Sequence, residues 1–447
     1  MQLRNKRRGN VQATLAGLAA GLFAASAASA ADDTGSRIDS GISFYQEAGG
    51  RVRAIEPALN GTFDFGGQSI LTLGIVSDTL TGASPNGAVP STKTQTFVTP
   101  AHSQSSSSVT SASGGGTVVV VPSKTGPATV TRQYTVSPGA LPLDPGFSDQ
   151  RYALNLGWSQ PIGGLRTVSV GGSYSTEHDY QAISATAGIA QEFNDKNSTL
   201  NLAVNFESDS SRPIGGTPTP LTTMSGELKG PNASRTEADV VLGLTQIIDR
   251  FWIAQLNVQY GTSQGYQNDP YRIISVVDPV FGLPTNYLYE SRPRSRTKES
   301  VFLENKIHID DDIVDVSARY YRDSWGLSST TLEVSDRSAL SSDLYFEPNV
   351  RWYRQNAASF YRSYLVGSQA IPQFASSDTR LGSFDALTFG VKFGLAVGNN
   401  SELTLRTEYY QQTGNQHPSG AIGQLAQQNL FPTLRTANIM LGYSFGL

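Results

Sequence analysis

The sequence predicts an all-β protein: a transmembrane, antiparallel, up-and-down β-barrel of about sixteen strands, with 14–18 compatible. Three observations carry this. Apolar residues alternate with polar or small ones over strand-length stretches, the period of a two-faced sheet. After residue 30 no apolar run approaches the roughly 20 residues of a membrane helix. Short turns alternate with long loops along the chain, which places all long loops at one end of a barrel.

Residues 1–30 are read separately. Arg4, Lys6, Arg7 and Arg8 precede the apolar stretch "VQATLAGLAAGLFAA", and Ala28 and Ala30 supply the small residues of a cleavage site. This is the pattern of a cleaved export signal, which leaves residues 31–447 as the barrel. Without the signal, 29 basic residues face 37 acidic ones. That balance does not favour nucleic acid, which would call for a basic face. The chain has no cysteine, which argues against a disulfide-stapled secreted module.

The strands follow in order. They are expected near 37–47, 51–63, 69–80, 149–160, 165–176, 179–193, 198–208, 235–247, 250–262, 296–309, 312–325, 329–336, 342–355, 380–397, 401–411 and 434–447. The stretch 385–398 is the clearest: Leu387, Phe389, Val391, Phe393, Leu395 and Val397 share one face, and Thr388, Gly390, Lys392 and Gly394 share the other. In 401–410, Leu403, Leu405 and Tyr409 oppose Glu402, Arg406 and Glu408. The pair around 329–355 alternates least regularly. Short turns are expected at 65–68, 161–164, 194–197, 248–250, 310–312 and 398–400, and long loops at 81–148, 209–234, 263–294, 356–379 and 412–433. With both termini periplasmic, the short turns are periplasmic and the long loops lie outside.

The final stretch "GYSFGL" resembles the carboxy-terminal assembly signal of outer-membrane barrels, with Gly442 followed by apolar Phe445 and Leu447. The resemblance implies recognition by the barrel assembly machinery, which pairs with an exposed final strand. Such signals carry a polar residue two places before the glycine; here that place holds Met440.

A second resemblance is broader. "ISFYQEAGGRVRAIEPALNGTFDFGGQSILTLGIVSDTLTGASPNGAVPS" (42–91) and "LPLDPGFSDQRYALNLGWSQPI" (141–162) are similar to segments of a bacterial outer-membrane barrel family known only as a domain of unknown function. The resemblance extends over essentially the whole mature chain and implies a fold and an outer-membrane location. Members are often encoded beside a small Cys-bearing lipoprotein, a thioredoxin-like protein and a flavin transferase. The resemblance therefore implies a small periplasmic Cys-containing lipoprotein as a partner, and a link to envelope redox traffic.

Candidate site residues follow from the polar strand faces. Glu56, Glu304, Lys306, Asp315, Arg319, Lys392, Glu402, Arg406 and Glu408 fall there, together with Glu192, Glu207, Asp239, Glu347 and Arg351. Facing lipid, charged groups would cost a few kcal/mol each, so they are expected to line the interior. They either tune a water-filled pore or form a salt-bridge network that closes a structural barrel. The Ser-rich loop 81–148 is expected to be disordered or to form a hairpin that constricts the mouth. Arg292, Arg294 and Arg296 form a cluster suited either to solvent or to lipopolysaccharide phosphates.

Catalysis is not expected. A lipase reading of His417 and Ser419, and a protease reading of His178 and Asp179, both lack the positioned partners such chemistry needs. Asp310, Asp311 and Asp312 suit a solvated turn better than a cation loop, as do Asp144 and Asp149. No cofactor is implied. The function expected is passive passage of small solutes, with a scaffold for an envelope redox system, or a hydrolase, as alternatives.

Overall fold

A chain whose strands are greasy on one face and polar on the other can satisfy both faces by closing on itself in a membrane. The computed structural model of the chain describes residues 35–100, 116–121, 129–224, 230–398 and 400–447; the export signal expected at 1–30 and much of the Ser-rich stretch lie outside the described residues. The strands are β1 (Arg37–Glu47), β2 (Arg53–Asp64), β3 (Ile70–Pro85), β4 (Gln95–Pro100), β5 (Gly116–Val121), β6 (Thr129–Val136), β7 (Leu143–Pro161), β8 (Arg166–Thr176), β9 (Tyr180–Phe193), β10 (Ser198–Ser211) and β11 (Ala233–Asp249). They continue with β12 (Trp252–Gly265), β13 (Ile273–Val277), β14 (Pro284–Tyr289), β15 (Ser295–Ile309), β16 (Asp312–Asp323), β17 (Ser328–Ala339), β18 (Leu344–Gln355), β19 (Leu365–Val366), β20 (Phe384–Ala396), β21 (Ser401–Gly414) and β22 (Leu434–Gly446).

Sixteen of these close into one antiparallel barrel: β1–β3, β7–β12, β15–β18 and β20–β22. The seam is β1 against β22, with Gly41 opposite Gly442 and Ile42 opposite Leu441. β17 and β18, the least regular pair in sequence, are full members of the wall. The connections are short at one end throughout, between two and five residues. At the other end lie the long loops 86–142, 212–232, 266–294, 356–383 and 415–433.

The first long loop is shorter than the 81–148 expected from sequence. β3 and β7 keep pairing across a bulge between Gly82 and Ser84, as far as Pro85 opposite Leu143. Alternation stops being diagnostic there because the wall has risen past the apolar band.

That band is visible in the aromatic residues. Tyr152, Tyr174, Tyr260, Tyr320 and Tyr409 are all exposed on the outer face, each eight or nine residues above the short-turn end of its strand. Trp252, Phe393 and Tyr443 stand outward near the short-turn end. Two such belts mark the two membrane interfaces. Eight residues at ~3.3 Å, tilted about 40°, span roughly 20 Å, close to the apolar height of such barrels. Between the belts the outward residues include Leu154, Leu156, Val316 and Phe389, all exposed. Exposed outward ion pairs, Arg322 with Glu299 and Arg354 with Asp385, occur on strand segments above the tyrosine level.

Candidate functional site: the inner wall and the loop cap

The inner face carries two tiers of charge. The upper tier lies toward the long loops and is buried. Arg151 on β7 donates from Nε to Asp78 on β3 at 2.7 Å, with Glu56 on β2 at 3.9 Å. Arg235 on β11 donates from Nε to Asp209 at 2.7 Å, lies 3.2 Å from Glu237, and donates to the Tyr180 hydroxyl at 3.0 Å. Lys298 on β15 reaches Glu237 at 2.7 Å and Asp239 at 3.9 Å. Asp78, Arg151, Asp209, Arg235, Glu237, Asp239 and Lys298 are all buried. Charges this desolvated persist only when paired, and here each cation bridges two or more carboxylates.

The lower tier is wetter. Lys306 lies 3.4 Å from Asp315, Lys392 3.8 Å from Glu347, and Arg406 3.0 Å from Glu408. Glu402 accepts from the Tyr345 hydroxyl at 2.9 Å. Arg319 stands over the Phe302 ring at 5.0 Å. Glu304 is in register with Ser317, one inward position above the Lys306–Asp315 pair. The sequence-derived inner residues therefore occupy one face. They fall into neighbouring pairs along the wall rather than a single cluster.

Above both tiers the long loops assemble a cap with a core of its own. β13, β14 and β19 form one small sheet, and β4, β6 and β5 another. Phe97, Tyr134, Ile273 and Tyr289 share one apolar cluster. Val89, Val277, Leu425 and Leu430 share a second, and Ile274, Leu288, Leu365 and Ala375 a third. Each cluster joins residues from different loops. The cap reaches down onto the wall at Phe431, which is buried against inward-facing Phe384 and Ala386, with Tyr353 and Tyr410 packed alongside. Gly414 makes room for it: a Cβ there would stand 2.3 Å from the Phe431 ring.

A buried ionic knot ties two cap loops together. Arg292 Nε lies 2.7 Å from Glu290 and its terminal nitrogen 3.0 Å from Asp378. Ser376 donates to Glu290 at 2.5 Å, and Arg380 Nε donates to Asp378 at 2.8 Å. Burial alone would raise the Asp378 carboxyl, but Arg380, Arg272 and Arg292 hold it well below the usual carboxylate range. Burial pushes Glu290 up; Asp269 and Asp378 add to this, and Arg292 opposes it.

The arginine cluster of the sequence is thus divided. Arg292 is locked in the knot. Arg296 lies 2.5 Å from Asp323 with its guanidinium over the Trp325 ring at 4.3 Å. Arg294 alone of the three is exposed. At the seam, Gly442 faces Gly41, and Leu447 donates its amide to the Ser36 carbonyl at 2.7 Å. Asp310 adopts a positive φ of 53° in a short turn with Asp311. His417 and Ser419 lie in the loop 415–433, and His178 in the 177–179 turn, where Asp179 accepts from Tyr271 at 2.6 Å.

Sequence reasoning missed Asp78, Arg151, Arg235 and Lys298. Alternation held the signal: outward Tyr152 and Leu154 place Arg151 inward. These residues lie toward the long-loop ends of their strands, where strand and loop composition merge. Glu290 and Asp378 had no such signal, being loop residues far apart in sequence.

No curated protein matches the chain. Among solved structures, the chain is similar to outer membrane protein opdK of Pseudomonas aeruginosa, at TM-score 0.39 and 8% identity over 93% of this chain and 100% of that one. It is also similar to a bacterial polysaccharide outer membrane secretin, at TM-score 0.42 and 7% identity over 93% and 99%. A variant of the ferric enterobactin receptor of Pseudomonas aeruginosa matches at TM-score 0.40 and 8% identity over 92% of this chain, which spans 59% of that receptor's length. A family model described as "Protein of unknown function (DUF3570)" matches residues 11–445, and the chain belongs to that family.

Proposed function

We propose that the protein is an outer-membrane channel for small solutes whose outer mouth is closed by the loop cap in the conformation described. One observation carries this reading: the two ends differ. Connections of two to five residues cannot cover a sixteen-strand lumen, whereas at the other end the long loops meet in shared apolar clusters. Barrels of this size enclose more space than wall side chains fill, and the lower inner face is polar and partly exposed. The chain has no cysteine, so packing, hydrogen bonds and ion pairs hold the cap without a covalent link, and a closed mouth of this kind can open. Passage of this sort requires no catalytic residue. Export through residues 1–30, with the long loops outward, belongs to the same proposal. Lipopolysaccharide contact from the 292–296 segment would then rest on Arg294.

The test is a planar-bilayer recording of the wild type and of a variant lacking residues 95–140. That deletion removes Phe97, Tyr134 and Val136 from the cap core. Rare openings in the wild type and a large, steady conductance in the deletion are expected. A deletion variant that folds, as judged by its heat-dependent gel shift, and stays silent would overturn the reading.

A further inference from the structure

The upper tier of inner charges is buried and mutually paired, so it presents little charge to the lumen. The lower tier on β16–β18 is different. Arg319 and Arg351 lie near the middle of β16 and β18 on the inner face, flanking β17, and Arg337 lies below them. Among the described residues, none of these three guanidinia has a carboxylate within the 4.0 Å of an ion pair. Arg319 and Arg337 rest on aromatic faces instead, Phe302 at 5.0 Å and Tyr345 at 3.7 Å. A guanidinium held by its face keeps its N–H edge free for a planar or tetrahedral oxyanion.

Four of the six nearby acids are occupied. Asp315 is engaged by Lys306, Glu347 by Lys392, Glu408 by Arg406, and Glu402 by the Tyr345 hydroxyl. Glu333 stands opposite Arg351 in register, and Glu304 opposite Ser317. In two of the three ion pairs the cation is the more open partner: Lys306 is 54% exposed against 23% for Asp315, and Arg406 15% against 8% for Glu408. Lys392 and Glu347 are equal at 18% and 19%. Six cations thus meet six carboxylates in this tier, and in none of the three ion pairs is the carboxylate clearly the more open partner.

We infer that Arg319, Arg337 and Arg351 form an oxyanion-binding station on the lower lumen wall, suited to carboxylates or phosphates and reached from the short-turn end. Its role in passage rests on the channel reading; its ability to bind does not. An overall acidic protein would then prefer anions, because these three inward guanidinia have no ion-pair partner among the described residues.

Two measurements on the full-length protein test this. The first is the reversal potential under a potassium chloride gradient. The wild type should favour chloride, and the triple variant Arg319→Gln, Arg337→Gln, Arg351→Gln should shift several-fold toward potassium. A cation-selective wild type, or an unchanged ratio, overturns the station. The second is calorimetric titration of detergent-solubilised protein with inorganic phosphate and, separately, succinate. The variant should weaken binding about tenfold or more, as expected for lost charge-assisted hydrogen bonds. Binding of one anion only identifies which of the two chemistries the station accepts. No binding of either, or binding indifferent to the substitutions, overturns it. A silent bilayer with arginine-dependent binding would uphold the station and remove the channel reading.

Discussion

The wall and the cap solve the burial problem in opposite ways. In the wall the large apolar side chains are the exposed ones: Leu156 is 53% exposed and Phe389 51%. In the cap they are sealed: Ile274, Val277 and Leu425 are 0% exposed. The wall's apolar surface is matched to lipid, while the cap's is matched to itself, as in a water-soluble domain. The wall is held by continuous neighbour-to-neighbour hydrogen bonding around a closed circle. The cap is held by contacts between loops distant in sequence, with two short sheets and one ionic knot. The comparison teaches that opening the cap need not disturb the wall.

The largest expected effect breaks the knot. Arg292→Ala leaves Glu290 and Asp378 buried with a cation removed, a loss of about 3–5 kcal/mol. The cap loops should become trypsin-sensitive and the conductance should rise, while the heat-dependent gel shift of the barrel stays within a few degrees. A matching fall in barrel stability would show that wall and cap are one cooperative unit.

Next comes a paired substitution. Phe431→Ala should cost the cap about 3–5 kcal/mol, because it leaves a cavity among Phe384, Ala386 and Tyr410. Phe389→Ala on the outer wall forfeits only lipid contact, roughly 1.5–3 kcal/mol with no cavity. Equilibrium unfolding in lipid vesicles, with loop proteolysis alongside, separates the two. Equal effects on both readouts would erase the distinction between the surfaces.

Sharper still for the wall is Leu156→Arg, five residues above the short-turn end of β7. At mid-band it should destabilise by about 2–4 kcal/mol in vesicles. The penalty should shrink for Phe206→Arg, whose site is exposed and level with the upper tyrosine belt. Equal penalties would misplace the membrane band.

A pH dependence is expected at the rim. Burial raises the Glu177 carboxyl from 4.5 to about 8, Asp149 and Asp179 add to this, and Arg151 opposes it. The folded protein therefore holds this proton more tightly than the unfolded chain. The stabilisation is present below pH 4.5 and is lost as pH rises toward 8. Glu177→Gln should flatten that slope in thermal melts between pH 5 and 9, and an unchanged slope would assign the dependence elsewhere.

How much was legible follows from the kind of signal each part carries. The wall strands were readable because alternation is local: Leu387 to Val397 announce their face without reference to any partner. The inner-face placement of Lys306 and Asp315 followed from the same rule. The upper tier was only half legible, since Arg151 and Arg235 sit where strand and loop composition merge. The division of Arg292, Arg294 and Arg296 was not legible at all. Their spacing is regular, but one is claimed by Asp378, 86 residues away, and another by Asp323.

By itself, then, the sequence determined the closed wall, its faces and the end that bears the long loops, because a period of two and a run of turn residues act over a few neighbours. Only the tertiary structure decided that those loops fold together, that Phe431 seats against the inner wall, and which charges are sealed and which stay open to water. Those outcomes depend on contacts between segments tens to hundreds of residues apart, where burial rather than periodicity selects the partner.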